Sequence, residues 1–236
     1  MGIVQLVIKV AALFGVHASR LSKHPVTTVL GLTHRPIDLI IDVGGNIGQF
    51  ARISREKFPH AHIISIEPLP SPFAQLEAWA KQDGNATALN IGVGEVDGVL
   101  SINLHLDHSP SSSMLPTLDG GLNIFPQMTR QQELEVPVRR LDDVLAEIGR
   151  AAGPDTLLKL DVQGFEEHVL RGAPETLRKV GALLTEVSID PMYEGQAEFF
   201  NLCQLAYAAG LRYAGNYSQY PANDGHVIFL DACFTR

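Results

Sequence analysis

The sequence predicts a doubly wound α/β domain, a mainly parallel sheet with helices on both faces, behind an N-terminal helical extension. Three observations carry that expectation. From residue 37 onward, short apolar runs alternate with segments of helical period, as in parallel strands buried on both faces. The first run closes on a glycine turn, Gly44-Gly45, that leads into a helix. The chain has 236 residues, 45% of them hydrophobic, which is enough for one sizeable core.

The chain divides at residue 36 into an N-terminal helical segment (1–36) and a main domain (37–236). Residues 1–37 carry Lys9, Arg20, Lys23 and Arg35 and no acid, although the whole chain has a net charge of −8. Ile3, Leu6, Val7, Val10, Leu13, Phe14 and His17 recur at three- and four-residue steps, the spacing of a helix. The apolar run over 3–16 is shorter than the roughly 20 residues of a membrane span. Its cations follow the apolar run, unlike those of a secretory leader. The expectation is a cytoplasmic protein whose first helix docks on the domain or on a second copy in a homo-oligomer. The alternative is a helix lying on a membrane surface, with Arg20, Lys23 and Arg35 toward anionic headgroups.

Within the main domain, residues 37–43 read as a buried strand and 46–57 as a helix. Residues 62–67 form the second strand. A helix follows over 71–81, with Pro72 early in it, and 86–93 is the third strand. Asp97-Gly98 turns the chain into a strand over 99–104. Residues 105–133, rich in Ser, Pro and Gly, have little periodicity. A loop of that length in a compact domain suggests a functional lid, which predicts a cover over a ligand that orders on binding. Helix 141–152 has Asp142 and Asp143 in its first turn. Strand 156–162, helices 165–172 and 174–180, strand 182–188 and helix 197–209 come next, the last closed by Gly210. Two antiparallel strands, 211–217 and 226–234, finish the chain.

Composition removes several classes of function. An acidic chain lacks the clustered cations that phosphate backbones need, so nucleic acid is not an expected partner. The two cysteines, Cys203 and Cys233, show neither a disulfide framework nor metal-ligand spacing. Charged residues at 19% argue for a folded chain.

The strongest motif is Asp42-Val43-Gly44-Gly45-Asn46-Ile47-Gly48 at the end of the first strand. Gly44 and Gly45 permit a turn closed to other residues. Asn46 is placed to cap the next helix, and Gly48 to allow close approach. Glu67 ends the second strand, where an acid in such folds accepts from ribose hydroxyls. The glycine spacing is not the G-x-G-x-x-G of a dinucleotide site, and Asp42 would set a negative charge beside a pyrophosphate. A carboxylate there suits S-adenosylmethionine, which has a sulfonium and an ammonium and no phosphate. A nicotinamide-dependent oxidoreductase and a cofactor-binding protein without transfer activity remain the alternatives.

These residues resemble the FkbM family of class I S-adenosylmethionine-dependent methyltransferases. The likeness runs on through Ile66-Glu67-Pro68, Asn90-Ile91-Gly92-Val93-Gly94 and Val136-Pro137-Val138. It is most specific over residues 158–166, with Leu184-Thr185-Glu186-Val187 after them. The resemblance implies a Rossmann-like, seven-stranded mixed sheet and O-methyl transfer to a sugar, glycolipid or polyketide hydroxyl. It also implies a cofactor site of Asp42, Gly44, Asn46, Gly48, Glu67 and Asn90. The family usually has Glu where Gln163 stands, so Gln163 is given no acid–base role.

Lys159 and Asp161, two apart at a strand end, point to one side, with Glu186 at the end of the next strand. These three are the candidate catalytic residues. Lys159 would form a structural ion pair with the neighbouring carboxylates, or else orient the acceptor hydroxyl or help deprotonate it, its pKa lowered by burial. Asp161 would take the proton or hold the cofactor's ammonium. Asp161 and Glu186 also suggest, in outline, two oxygen ligands for a divalent cation such as Mg²⁺. His105 and His108 are solvated loop residues, or bases if the loop closes.

Overall fold

The computed structural model describes residues 3–16 and 24–236. In chain order the elements begin with α1 (Ile3–Leu13), α2 (Pro25–Thr28), β1 (Leu39–Val43), α3 (Gln49–Lys57), β2 (His62–Ile66), α4 (Pro70–Asp83) and β3 (Ala86–Leu89). β4 (Gly92–Val93), β5 (Gly98–His105), α5 (Asp119–Ile124), β6 (Gln131–Arg139) and α6 (Leu141–Glu147) follow. The chain ends with β7 (Thr156–Leu160), α7 (Glu166–Arg171), α8 (Pro174–Lys179), β8 (Ala182–Ser188), α9 (Phe199–Ala208), β9 (Arg212–Pro221) and β10 (Val227–Thr235).

Seven strands form one mixed sheet in the order β3-β2-β1-β7-β8-β10-β9. β10 runs antiparallel to both its neighbours, and the other paired strands are parallel. The strands β1, β7 and β8 are buried at every residue, as their near-continuous apolar runs require. Alternation along β7 separates the two faces. Leu158 and Leu160 pack with Leu145, Val169 and Leu202 from α6, α7 and α9. Leu157 packs on the other side with Val29, Leu32, Ile40, Ala51 and Phe58. Register places Asp42 beside Lys159 and ends β1, β2 and β7 at one edge, where ligands of such sheets bind.

The chain departs from expectation in four places. The single strand expected over 86–93 is two: β3 extends the main sheet, while β4 joins a separate sheet ordered β4-β6-β5. Helix α6 stops at Glu147 because Gly149 takes a left-handed φ of 66°, the usual helix terminator. Helix α3 starts at Gln49, three residues later than expected, behind Gly48 at φ 89°. The domain boundary at 36 falls inside the folded body. Val29 and Leu32 are core residues, and Lys57 donates to the carbonyls of Val26 and Thr27.

Helix α1 forms as its spacing predicts and stands apart from that body, with Leu13 84% and Phe14 79% exposed. His17, Arg20 and Lys23 lie outside the described residues. Arg35, expected at a headgroup surface, instead donates to the carbonyls of Gly181 and Arg236. Among the described residues no helix is long and apolar enough to cross a membrane.

Candidate active site

The glycine turn after β1 is shaped by what lies against it. Gly44 has φ 81°, and a Cβ there would stand 1.9 Å from the Asp161 carbonyl oxygen. No other residue fits, so the β1 and β7 ends meet backbone to backbone. Gly44 and Gly45 both donate their N–H to the Ile66 carbonyl, which fastens the turn to β2. Asn46 sits at φ 45°, and its side-chain oxygen accepts from Ile47 N–H rather than capping α3. Gly48 does not line the cavity. It is the left-handed residue that starts α3 and lets Leu76 pack closely.

Glu67 is where the sequence places it, 4% exposed at the end of β2 and on the cavity wall. Its two oxygens accept from Asn46 N–H at 2.8 Å and Leu69 N–H at 2.8 Å. Each keeps further lone-pair capacity. Burial pushes its pKa up to about 7. Asn90, expected to touch the cofactor, is exposed and braces Glu67 instead: its amide donates to the Glu67 and Pro68 carbonyls. Its neighbour Ile91 lines the cavity.

Asp42 does not face the cavity. It is wholly buried, accepts from the Ser65 hydroxyl at 3.1 Å and lies 3.1 Å from Lys159 Nζ. Lys159 also contacts Asp161 at 3.4 Å and donates to the Gly44 carbonyl at 3.2 Å. Burial opposes its charge, but the carboxylates of Asp42 and Asp161 outweigh that and hold its pKa above the ordinary lysine range. The expectation that burial frees Lys159 to accept a proton is therefore corrected. It remains an ammonium that ties β1 to β7 and keeps Asp161 in place. Breaking such a pair by deleting one partner costs about 3–5 kcal/mol.

Asp161 is the candidate catalytic residue that opens to the cavity, its side chain 35% exposed. Gln163 Nε2 donates to Asp161 at 2.8 Å and to Glu186 at 2.9 Å, while its carbonyl accepts from the Tyr193 hydroxyl at 2.9 Å. Sequence reasoning misses this bridge, and no spacing rule reveals it, because Gln163 reaches back from φ 54° in the turn after β7. Glu186, expected beside the reacting atoms, is buried behind Gln163 and off the cavity wall. Burial and the nearby Asp161 push its carboxyl well above the usual range, which makes it a support for Gln163. Glu166, buried below, accepts from Val162 N–H and Gly164 N–H and fixes the same turn. A divalent cation does not fit these residues, since amide N–H groups already fill the space between Asp161 and Glu186. Nor do three His, Cys, Asp or Glu side chains converge anywhere among the described residues.

A cavity of about 320 Å³ joins the glycine turn, Glu67 and Asp161. Ser109, Pro110, Ser112 and Met114 wall it on the Glu67 side, and Met114 packs with Leu69 and Ile102. The segment expected as an open lid is already folded. Ser113 donates to the Gln163 backbone carbonyl at 2.6 Å, and the Tyr193 hydroxyl shares its single proton between the Gln163 side chain and the Ser111 carbonyl, 2.8 Å away. His105 is fully buried against Thr117, and burial lowers its pKa. It is a core residue rather than a solvated loop histidine. His108 is half-buried and paired with Ser111.

The sequence profile of the methyltransferase FkbM domain matches residues 42–213. Over 165 residues the chain is 34% identical to 31-O-demethyl-FK506 methyltransferase FkbM of Streptomyces tacrolimicus, across 61% of this chain and 63% of that one. Over 143 residues it is 31% identical to Methyltransferase 1 of Beauveria bassiana, across 56% of this chain and 57% of that one. Over 175 residues it is 27% identical to 2-O-methyltransferase NoeI of Sinorhizobium fredii, across 71% of this chain and 70% of that one. The chain thus spans less than two thirds of the length of the first two relatives. In fold it is similar to a crystal structure of methyltransferase FkbM from Methylobacillus flagellatus KT. That match has a TM-score of 0.52 at 13% identity, over 84% of this chain and 43% of that one. The profile match takes in the glycine turn, Glu67, the Asp161 cluster and Glu186, and by it the chain belongs to the FkbM family of methyltransferase enzymes.

Proposed function

We propose that this methyltransferase uses S-adenosylmethionine and transfers the methyl group to a hydroxyl oxygen of a sugar, glycolipid or polyketide-type acceptor. The observation that carries the reading is the pairing of Glu67 and Asp161 on one cavity wall around the glycine turn. Two carboxylates repel a pyrophosphate and suit a ligand with a ribose diol and cationic groups. When bound, the cofactor supplies an electrophilic methyl carbon on a sulfonium.

The chain's residues supply the rest. Glu67 accepts from the ribose hydroxyls. Asp161 lies between the Lys159 ammonium and the Gln163 amide and holds the acceptor hydroxyl or takes its proton. Lys159 holds Asp161 in place without giving up its own proton. Alignment in a site that excludes water accounts for most of the acceleration. An oxygen acceptor is supported by the names of relatives, among them 2-O-methyltransferase NoeI and the 31-O-demethyl-FK506 methyltransferase. Hexuronic acid methyltransferase AglP of Haloferax volcanii, 27% identical over 65% of this chain and 58% of that one, adds a sugar-acid example.

Calorimetry with S-adenosylhomocysteine and NAD tests the cofactor. Binding of the first and none of the second is expected, and the reverse would refute the reading. Transfer of labelled methyl from S-adenosylmethionine to a panel of glycans and polyketides then tests the acceptor class.

A further inference from the structure

The cavity has two ends of different character. At the Glu67 end its apolar wall is Leu69, Ile102 and Met114. At the other end the wall is Phe50, Ile53, Leu184 and Tyr217. Leu184 belongs to the apolar cluster on the opposite face of the main sheet, and Phe50 and Tyr217 pack against that cluster. Lys159 also lines the cavity, its Nζ 5.4 Å from the centre of the Phe50 ring.

Asp231, in the middle of β10, also lines the cavity. Its one hydrogen bond among the described residues comes from the Ser218 hydroxyl, to Oδ2, which leaves Oδ1 to accept. Tyr217 reaches the cavity through a bulge. Asp231 pairs with Ser218 and Ala232 with Asn216, so Tyr217 is left over in the ladder. A bulge of this kind re-aims a side chain. Its phenol makes no hydrogen bond among the described residues. Among the described residues neither side chain hydrogen-bonds to the glycine turn or the Asp161 cluster, yet both line the same cavity.

We propose that Phe50, Tyr217 and Asp231 form the acceptor subsite and that it takes an uncharged, hydroxyl-bearing ring, a neutral pyranose. The proposal rests on the methyl-transfer reading above. Aromatic walls suit the C–H faces of such a ring, and a carboxylate that only accepts suits its hydroxyls. The charges select against an acid. Among the described residues Lys159 is the one Lys or Arg on the cavity wall, and it is already engaged by Asp42 and Asp161. A sugar carboxylate would meet Asp161 and Asp231 with no free cation to offset them.

The test uses the full chain saturated with S-adenosylhomocysteine and saturation-transfer NMR at pH 7.5. The probes are methyl α-D-glucopyranoside, methyl β-D-galactopyranoside and the methyl glycoside of glucuronic acid. The wild type should transfer saturation to at least one neutral glycoside and at least five-fold less to the glucuronate. Asp231→Asn and Tyr217→Ala should each weaken the neutral signal five-fold or more while the Kd for S-adenosylhomocysteine stays within two-fold. Melting curves confirm that each variant is folded, and Tyr217→Phe should retain the signal through its ring.

The proposal is overturned by equal or stronger transfer to the glucuronate, or by no transfer to either neutral glycoside. Variants that lose S-adenosylhomocysteine while keeping the glycoside also overturn it, because they would place this end of the cavity under the cofactor. Failure of the wild type to bind S-adenosylhomocysteine would refute the cofactor reading itself, which the calorimetry identifies separately.

Discussion

A neutral amide stands between two carboxylates, because Gln163 donates to Asp161 and Glu186 while accepting from Tyr193. Sequence reasoning sees only a carboxylate lost relative to the resembled family. The geometry shows what the amide does: its two N–H groups satisfy oxygens that would otherwise repel each other. Gln163→Glu would put a third acid where a donor is needed. We expect it to destabilise the fold by about 1–3 kcal/mol at pH 7.5, the cost of buried groups losing their partner. The deficit should shrink at pH 5.5, since acid favours the protonated form of Glu186, whose carboxyl burial holds above the usual range. Urea melts at both pH values check this, and a variant as stable as wild type at pH 7.5 would remove the clamp. Glu67 gives a second pH signature. Its pKa is raised from 4.5 to about 7, so between those values the folded chain holds a proton that the unfolded chain has released. The stability it contributes is therefore full below about pH 4.5 and is lost as pH rises through about 7. Cofactor affinity should move the other way, since only the ionised carboxylate accepts from both ribose hydroxyls. S-adenosylhomocysteine should bind roughly ten-fold tighter at pH 8 than at pH 6, the scale of a charged hydrogen bond. Glu67→Gln should bind weakly at both. A pH-independent wild-type affinity would take Glu67 away from the ribose.

Among the elements, those that carry the site are legible because local sequence and global burial agree. β1 and β7 are apolar runs broken only by Asp42 and Lys159 and lead into glycine turns, and Asp42, Glu67 and Asp161 fall where strand ends must place them. What the side chains do there is less legible, because it depends on which strand lies alongside. Asp42 and Lys159 neutralise each other only through the β1–β7 register. The small sheet is the clearest omission. Gln131, Gln132, Glu133 and Glu135 of β6 are exposed, so half the strand reads as solvated loop. Pro137 argues against a central strand. It is accommodated because β4 pairs with β6 only at Val138 and Arg139, beyond the proline. The segment before β6 is stitched by contacts no periodicity encodes, such as Ser113 to the Gln163 carbonyl and Leu115 N–H to the Ser113 hydroxyl. Ser113→Ala should therefore cost about 1–3 kcal/mol, since it leaves both groups without a partner. Denaturant melts measure the cost. Hydrogen exchange on the ligand-free wild type supplies a second check. The amides of Asn103, Ser113 and Leu115 should be protected before any ligand is added, and fast exchange at all three would restore the picture of a lid that orders only on binding.

At the scale of the whole molecule, the open question is where the folded body begins. Charge asymmetry sets the first 37 residues apart, with four cations and no acid, but charge does not report packing. Helix α1 is apolar and exposed, with Leu6 52%, Val7 55% and Phe14 79% accessible, so it contributes little buried area to the domain. The stretch just after it behaves differently. Val29 and Leu32 are 3% and 1% exposed and share an apolar cluster with Ile40 and Phe58. Arg35 ties the same stretch to the carbonyls of Gly181 and Arg236 at the far side of the sheet. Two truncations separate the two cases. Deleting residues 1–16 should leave Tm within about 2 °C of the full chain, because the helix it removes is exposed. Deleting residues 1–35 removes two fully buried aliphatic side chains, worth about 1.5–3 kcal/mol each. At roughly 2–4 °C per kcal/mol for a chain of this size, Tm should then fall by about 6 °C or more. Scanning calorimetry on the three proteins decides. A large loss from the shorter deletion would mean that α1 docks on the body. No loss from the longer one would move the start of the domain back to residue 36.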